Sequence, residues 1–310
     1  MPELPEVQTT VDGINARIRG AKILGVWTDY KSLFHRGKDN INDPVFFARF
    51  KKAVIGGTVV GAERRGKNIL INVDSGVTII IHMKMTGHIM HGAYKKLPKK
   101  DAQGEWWRPA DPNDAALNDP FNRFIHFVLS LSDGKQLVLS DMRKFAKVTM
   151  AKTAEIHQSK HLLSHGPEPF DPKFGPDELR AAAMRRPKGA VKQVLMNHEV
   201  VSGIGNIYSD EILWKVGIHP LTRVGHIPEK MWPQIHRVMR ETLSRGIDFG
   251  GDSMSDYRNI DGKPGKFQGQ HNAYRKTGKP CGKRGCHGTI RRLKVGGRSA
   301  HFCDSHQKLL

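Results

Sequence analysis

The chain opens MPELPEV, and its second and third residues could do chemistry. With Met1 removed, Pro2 presents a secondary amine with no side chain to shield it, and carboxylates follow at Glu3 and Glu6. An α-amino group has a pKa near ~8, so a useful fraction is an unprotonated nucleophile at neutral pH. Taken alone, such residues more often mark a rigid surface terminus. A second reactive group lies at the other end. Cys281 and Cys286, spaced C-x4-C, precede a β-hairpin, and Cys303 and His306, spaced C-x2-H, follow it. Two ligand pairs flanking a hairpin, with its turn at Gly296 and Gly297, suit one structural zinc ion in tetrahedral coordination. His287 and His301 compete for the fourth place, but His306 best mirrors the first pair. These three cysteines are all the chain has, too few and too clustered for a secreted disulfide framework, which points to a reducing cytoplasm.

The elements around these groups must be basic. Over 310 residues the net charge is +20 and the pI near 10.0, which points to a polyanionic partner, nucleic acid ahead of a membrane surface. No apolar run reaches the length of a membrane span, and no charged segment precedes an apolar leader. From Arg258 onward thirteen Lys and Arg face only Asp261 and Asp304. A zinc-held hairpin needs few residues for a core, which leaves Arg291, Arg292, Lys294 and Arg298 to face a phosphate backbone.

The first 150 residues or so read mostly as strands, with alternating apolar residues from Ala53 to Met83 and again from Phe124 to Met150. Helical spacing from Val7 to Ile18 places one helix beside them. Between the strand-rich stretches lies a long, polar, proline-rich excursion at 89–122, with Trp106 and Trp107 as its bulky anchors. After HGPEPFDP the pattern turns helical, through PDELRAAAMRR, GAVKQVLMNH, GNIYSDEILWKVG and EKMWPQIHRVMRETLSRGI. The expected class is α+β and multidomain. The boundaries fall at 1–152 for a strand-rich domain, 153–176 for a linker, 177–248 for helices, 249–275 for a glycine-rich connector and 276–310 for the zinc module.

MPELPEV, RRGKNIL, HMKMTG, DMRKF, HGPEP, GIGNIYSDE and GGDSMSDYRNIDGKPGKFQ occur in an order that resembles the formamidopyrimidine-DNA glycosylase branch of its family, over almost the whole chain. The resemblance implies an N-terminal β-sandwich with flanking helices, a helix-two-turn-helix domain and a C-terminal β-hairpin zinc finger, with DNA across the cleft between the lobes. It implies a monomeric, cytoplasmic, nucleoid-associated enzyme of base excision repair. Its partner would be double-stranded DNA carrying damaged bases or abasic sites, with no membrane involved.

By that resemblance Pro2 attacks C1′ of a damaged deoxynucleotide, displaces the base and forms a Schiff base with the opened sugar, after which β,δ-elimination cuts the strand. A secondary amine suits this, because its iminium is cationic at any pH and acidifies the C2′ proton. Glu3 matches the catalytic acid, Lys67 the lysine of β-elimination and Arg298 the arginine of δ-elimination and phosphate binding. Met85, Arg143 and Phe145 match the residues that fill the gap left by the flipped base, whose extrusion costs a few kcal/mol. Asn206 would cap a helix and present its amide to phosphate, Lys192 would support the same phosphates, and His126 is the retained DNA-contacting histidine of RFIH. The loop Gly250–Gln268 resembles the segment that closes over the everted purine.

The chain departs from the family pattern in three places: C-x4-C with a terminal His306 in place of four cysteines, RFIH with Phe124 at a usual histidine, and DMRKF for DPRRF. Two other readings compete. One is an endonuclease VIII-like enzyme for oxidised pyrimidines, disfavoured by MPELPE and by DG-x-PG-x-F. The other is a non-catalytic zinc-finger DNA-binding protein, which has no need of Pro2, Glu3 and Lys67.

Overall fold

In the computed structural model, which describes residues 1–254 and 256–310, helix α1 (Leu4–Ile18) starts at the fourth residue. Pro5 lacks an amide that a first turn leaves unpaired anyway, and the Glu3 amide donates to Glu6 Oε2 at 2.7 Å. Leu4, Val7, Val11, Ile14 and Ile18 share one face at helical spacing, and none is more than 2% exposed. Each contributes on the order of 2 kcal/mol by burial.

That face covers a sandwich. The strands are β1 (Ile23–Thr28), β2 (Val59–Arg65), β3 (Asn68–Val73), β4 (Val77–His82), β5 (His88–Gly92), β6 (Tyr94–Lys96), β7 (Trp107–Pro109), β8 (Ile125–Leu131), β9 (Gln136–Ser140) and β10 (Lys147–Lys152). Two four-stranded antiparallel sheets, ordered β1-β8-β9-β5 and β10-β4-β3-β2, share one core. Ile23, Phe127, Leu129 and Leu139 come to it from one sheet, and Ile69, Ile71, Ile79 and Val148 from the other. Helix α2 (Pro44–Val54) lies in a stretch expected to be strand-rich. Its start is set by Asp43, which accepts from the Val45 amide at 2.7 Å, and its buried face by Phe46, Phe50 and Val54 at four-residue spacing.

The excursion pairs β6 with β7 and packs Tyr94, Trp107 and Leu117 against Trp27 of β1. Trp107 is therefore an anchor, as expected.

The chain divides into two units that interleave along the sequence. The first is Met1–Leu163 with Phe249–Lys266, and the second is Ser164–Asp248 with Phe267–Leu310. The glycine-rich stretch expected as a connector is thus shared, its 249–266 part packing with the sandwich. In the second unit, α3 (Pro176–Met184), α4 (Val191–Leu195), α5 (Asn206–Val216) and α6 (Trp232–Asp248) precede the hairpin of β11 (Ile290–Val295) and β12 (Arg298–Cys303). Pro176 and Pro233 sit in first turns, where a missing amide costs nothing. The hairpin closes through Gly296 and Gly297, both at positive φ, as a two-residue turn with this twist requires.

Candidate active site and nucleic-acid interface

In the first unit the N-terminus is built in, not frayed. Pro2 is buried, and Glu3 and Glu6 are each only 2% exposed. Glu6 accepts the Glu3 amide on one oxygen and the Asp252 amide, at 2.7 Å, on the other. Burial and the Glu3 charge push its carboxyl up to about 7 against the pull of those amides. The Glu6 carbonyl takes two hydroxyls, Thr10 at 2.8 Å and Tyr257 at 3.0 Å. Glu6 stands among the opening residues, but its spacing there announces no role. Its burial depends on Asp252, 246 residues away, which no local pattern reveals.

Lys67 lies in the two-residue turn between β2 and β3, after Gly66 at φ +58. Arg64 ties that turn to α1, donating Nε to Gln8 Oε1 at 2.9 Å and NH1 to the Gly66 carbonyl at 3.1 Å. The sheet edge is closed by Asn15, whose amide both donates to and accepts from the Ala62 backbone.

Met85, Arg143 and Phe145 stand on two loops and are exposed, Phe145 by 52%. The Arg143 guanidinium lies 4.5 Å above the Phe145 ring. Asp141, fully buried, joins the loops. It accepts the Thr86 hydroxyl, the Ala146 amide at 2.6 Å and the Tyr30 hydroxyl at 3.3 Å, and the Arg143 amide donates to the Thr86 hydroxyl at 3.2 Å. Asp141 heads the DMRKF motif, yet its partners Thr86 and Tyr30 lie on distant segments that no local pattern links to it. His126 is only 6% exposed, with Nδ1 2.8 Å from Asp29 Oδ1, so it is an interior residue of this surface.

The 249–266 segment closes on itself: Lys266 donates to the Phe249 carbonyl at 2.8 Å and Gly265 to Ser253 Oγ at 2.8 Å. A Cβ at Gly265 would stand 2.2 Å from the Gly251 oxygen, so only glycine allows this neck. Of the loop Gly250–Gln268, Ser255 lies outside the described residues.

In the second unit the expected cap is corrected. Gly205 holds the N-cap position of α5 and Asn206 is already helical, so its side chain is released from capping. Its buried Oδ1 has no hydrogen-bond partner among the described residues. Lys192 is fully buried, with Nζ on Asp210 Oδ1 at 2.6 Å, Ser209 Oγ at 2.9 Å and the Asn206 carbonyl at 3.1 Å. It braces Asn206 from behind. Asp210 also accepts the His301 ring at 2.9 Å, joining α5 to the hairpin. Next to Asn206 opens a polar cavity of about 490 Å³, lined by Tyr274, Arg275, Arg292, Ser299 and His301 among others.

On the hairpin, Arg291 pairs with Asp304 at 2.8 Å and Arg292 with Ser299 at 3.0 Å, whereas Arg298 is exposed and makes no ion pair among the described residues. Cys281, Cys286, Cys303 and His306 present their donor atoms within 4.8 Å of one another. The separations of 3.4 Å from Cys281 Sγ to His306 Nδ1 and 3.6 Å from Cys286 Sγ to Cys303 Sγ match the edges of a tetrahedron around zinc at about 2.0–2.3 Å per ligand. His306 donates Nε2 to the Trp214 carbonyl at 2.9 Å, which leaves Nδ1 as the lone pair for a metal. His301 is committed to Asp210 and His287 is exposed, so the fourth place falls to His306. The Gly288 amide, with help from His306, lowers the Cys286 thiol to about 6, against its partial burial.

The sequence matches the model of the formamidopyrimidine-DNA glycosylase N-terminal domain over residues 1–148 and that of the H2TH domain over 165–258. It is 33% identical over 309 residues to a formamidopyrimidine-DNA glycosylase of Dinoroseobacter shibae, covering 99% of this chain and 100% of the relative. Against that of Bacillus subtilis the identity is 31%, with 99% of each chain covered. Lactococcus lactis Fpg in complex with an abasic-site DNA superposes with a TM-score of 0.79 at 28% identity, over 97% of each chain. A mutant of it bound to Fapy-dG DNA gives 0.79 over 97% of this chain and 98% of that one.

Proposed function

The chain belongs to the formamidopyrimidine-DNA glycosylase family, and from that premise we propose that it excises oxidised purines from duplex DNA and then cuts the strand as an abasic-site lyase. The observation that carries this reading is the built N-terminus: Pro2 and Glu3 are buried at the head of α1, held by Glu6. A terminus without a function has no need of such a socket.

The Pro2 nitrogen, freed when Met1 is removed, attacks C1′ as the glycosidic bond breaks, and Glu3 is the acid beside it. As Glu3 passes a proton to O4′ the C1′–O4′ bond breaks and the sugar opens to a C1′ iminium on Pro2; loss of the acidified C2′ proton to a base then expels the 3′ phosphate by β-elimination. Lys67 serves as proton donor from a turn tied to α1 through Arg64, and Arg298 as the phosphate-side cation for the second elimination. Met85, Arg143 and Phe145, offered by loops that Asp141 locks, fill the vacated stack; the Arg143 fork suits the edge of the widowed base. In the second unit Asn206, braced by Lys192 and flanked by the cationic cavity, takes phosphate. The three cysteines and His306 would hold zinc, which would supply the rigidity of the hairpin.

Single-turnover rates on duplexes with 8-oxoguanine opposite cytosine and with thymine glycol test the substrate class. Faster excision of 8-oxoguanine is expected, and faster excision of thymine glycol would move the chain to the pyrimidine branch.

A further inference from the structure

The proposed chemistry leaves the excursion between β5 and β8 unused, yet its last residues are bonded to the 249–266 segment. Asp119 caps the short turn Pro120–Asn122 by accepting the Phe121 amide at 2.9 Å. The same carboxylate takes Arg258 as a fork, Nε at 3.0 Å on one oxygen and NH2 at 3.2 Å on the other. Arg258 is only 7% exposed, and its guanidinium lies 4.7 Å above the Phe121 ring. Its remaining arm donates from NH1 to the Tyr257 carbonyl at 2.9 Å.

A second set of contacts holds the other end of the same strip. Asn122, 1% exposed, donates from its amide to the Ala116 carbonyl at 2.8 Å and the Gly262 carbonyl at 3.0 Å. Its oxygen faces His88 Nε2 at 2.9 Å. His88 is wholly buried, and burial lowers its pKa to about 4, so the ring is neutral and donates through that nitrogen. Gly262, at φ +76, approaches so closely that a Cβ would stand 2.9 Å from the Ala116 oxygen. The His91 amide bonds the Ile260 carbonyl at 2.8 Å. From Tyr257 the line continues to the first turn of α1, through the tyrosine hydroxyl on the Glu6 carbonyl at 3.0 Å.

We propose that the excursion is a brace for the base-covering loop, with Asp119 acting through Arg258 and Tyr257 to hold residues 250–254 and 256–257 against the start of α1. Asp119 and Arg258 are thus positioning residues for base excision. The inference rests on the reading of Gly250–Gln268 as the segment that covers the everted base. A loop held at its foot by a charge-assisted fork closes over the base with less ordering to be done at each turnover. Cutting at a pre-formed abasic site has no base to cover, so it does not use the brace.

The test is Asp119→Asn, Arg258→Lys and the double variant, in the full-length zinc-loaded protein. Asparagine accepts only half of the fork and lysine cannot form it. Base excision in single turnover is expected to fall about tenfold or more in each single variant, as when reacting groups are kept but misplaced. The double variant should fall no further than the worse single one. Cleavage of a pre-formed abasic site should stay within about twofold, and amide exchange at 257–262 should rise. Unchanged excision in both single variants, or equal losses of excision and abasic-site cleavage, overturns the brace. A wild-type protein that excises no damaged base overturns the underlying reading instead, so the two failures are distinguishable.

Discussion

At the residue scale the informative group is Glu6, a buried carboxylate between two backbone amides and beside a second carboxylate. Its folded pKa, about 7, lies above the 4.5 of the free side chain, so the folded state holds the proton more tightly. The stabilisation this gives is complete below about pH 4.5 and is lost as the pH rises through 7. Glu6→Gln cannot titrate, and its NH2 would face an amide donor. The stability of the wild type relative to this variant should therefore shrink between pH 5 and 8, by at most roughly 3 kcal/mol. Parallel denaturant-derived stability curves across that range would show that Glu6 does not titrate as described. Residues of this kind were not legible in the sequence. Glu6, Asp141, Asp210 and Glu211 are acids whose meaning comes from partners on other segments, as when Glu211 accepts the amides of residues 272, 273 and 274.

At the scale of elements the hairpin module was legible, because ligand spacing and a double-glycine turn are local signals. So were α1 and the late helices, through apolar spacing and prolines in first turns. Helix α2 was missed although Asp43, Pro44 and the 46, 50, 54 pattern announce it, because the surrounding strands dominate that half. The extra role of His306 was hidden as well. It donates to Trp214, whose carbonyl belongs to the last turn of α5 and lacks a helical partner. His306→Cys should therefore keep one zinc per chain while losing about 1 kcal/mol from that hydrogen bond. Cys286→Ser should lose both the metal and DNA binding, because the hairpin has little core apart from Ile290, Val295, Ala300 and Cys303. Metal analysis with calorimetry checks both, and active protein without zinc would contradict them.

At the scale of the molecule, a net charge of +20 favours a polyanion, but charge alone does not separate an enzyme from a binding module. The distinction rests on Pro2. If its nitrogen is the nucleophile, Met1 must be gone and the amine free. Borohydride reduction during reaction with 8-oxoguanine duplex measures this directly, with the adduct located by peptide mass spectrometry. A covalent adduct is expected on the peptide beginning at Pro2, and none in a protein carrying an N-terminal tag with intact fold and zinc. An adduct on Lys67, or full base excision by the tagged protein, would contradict it.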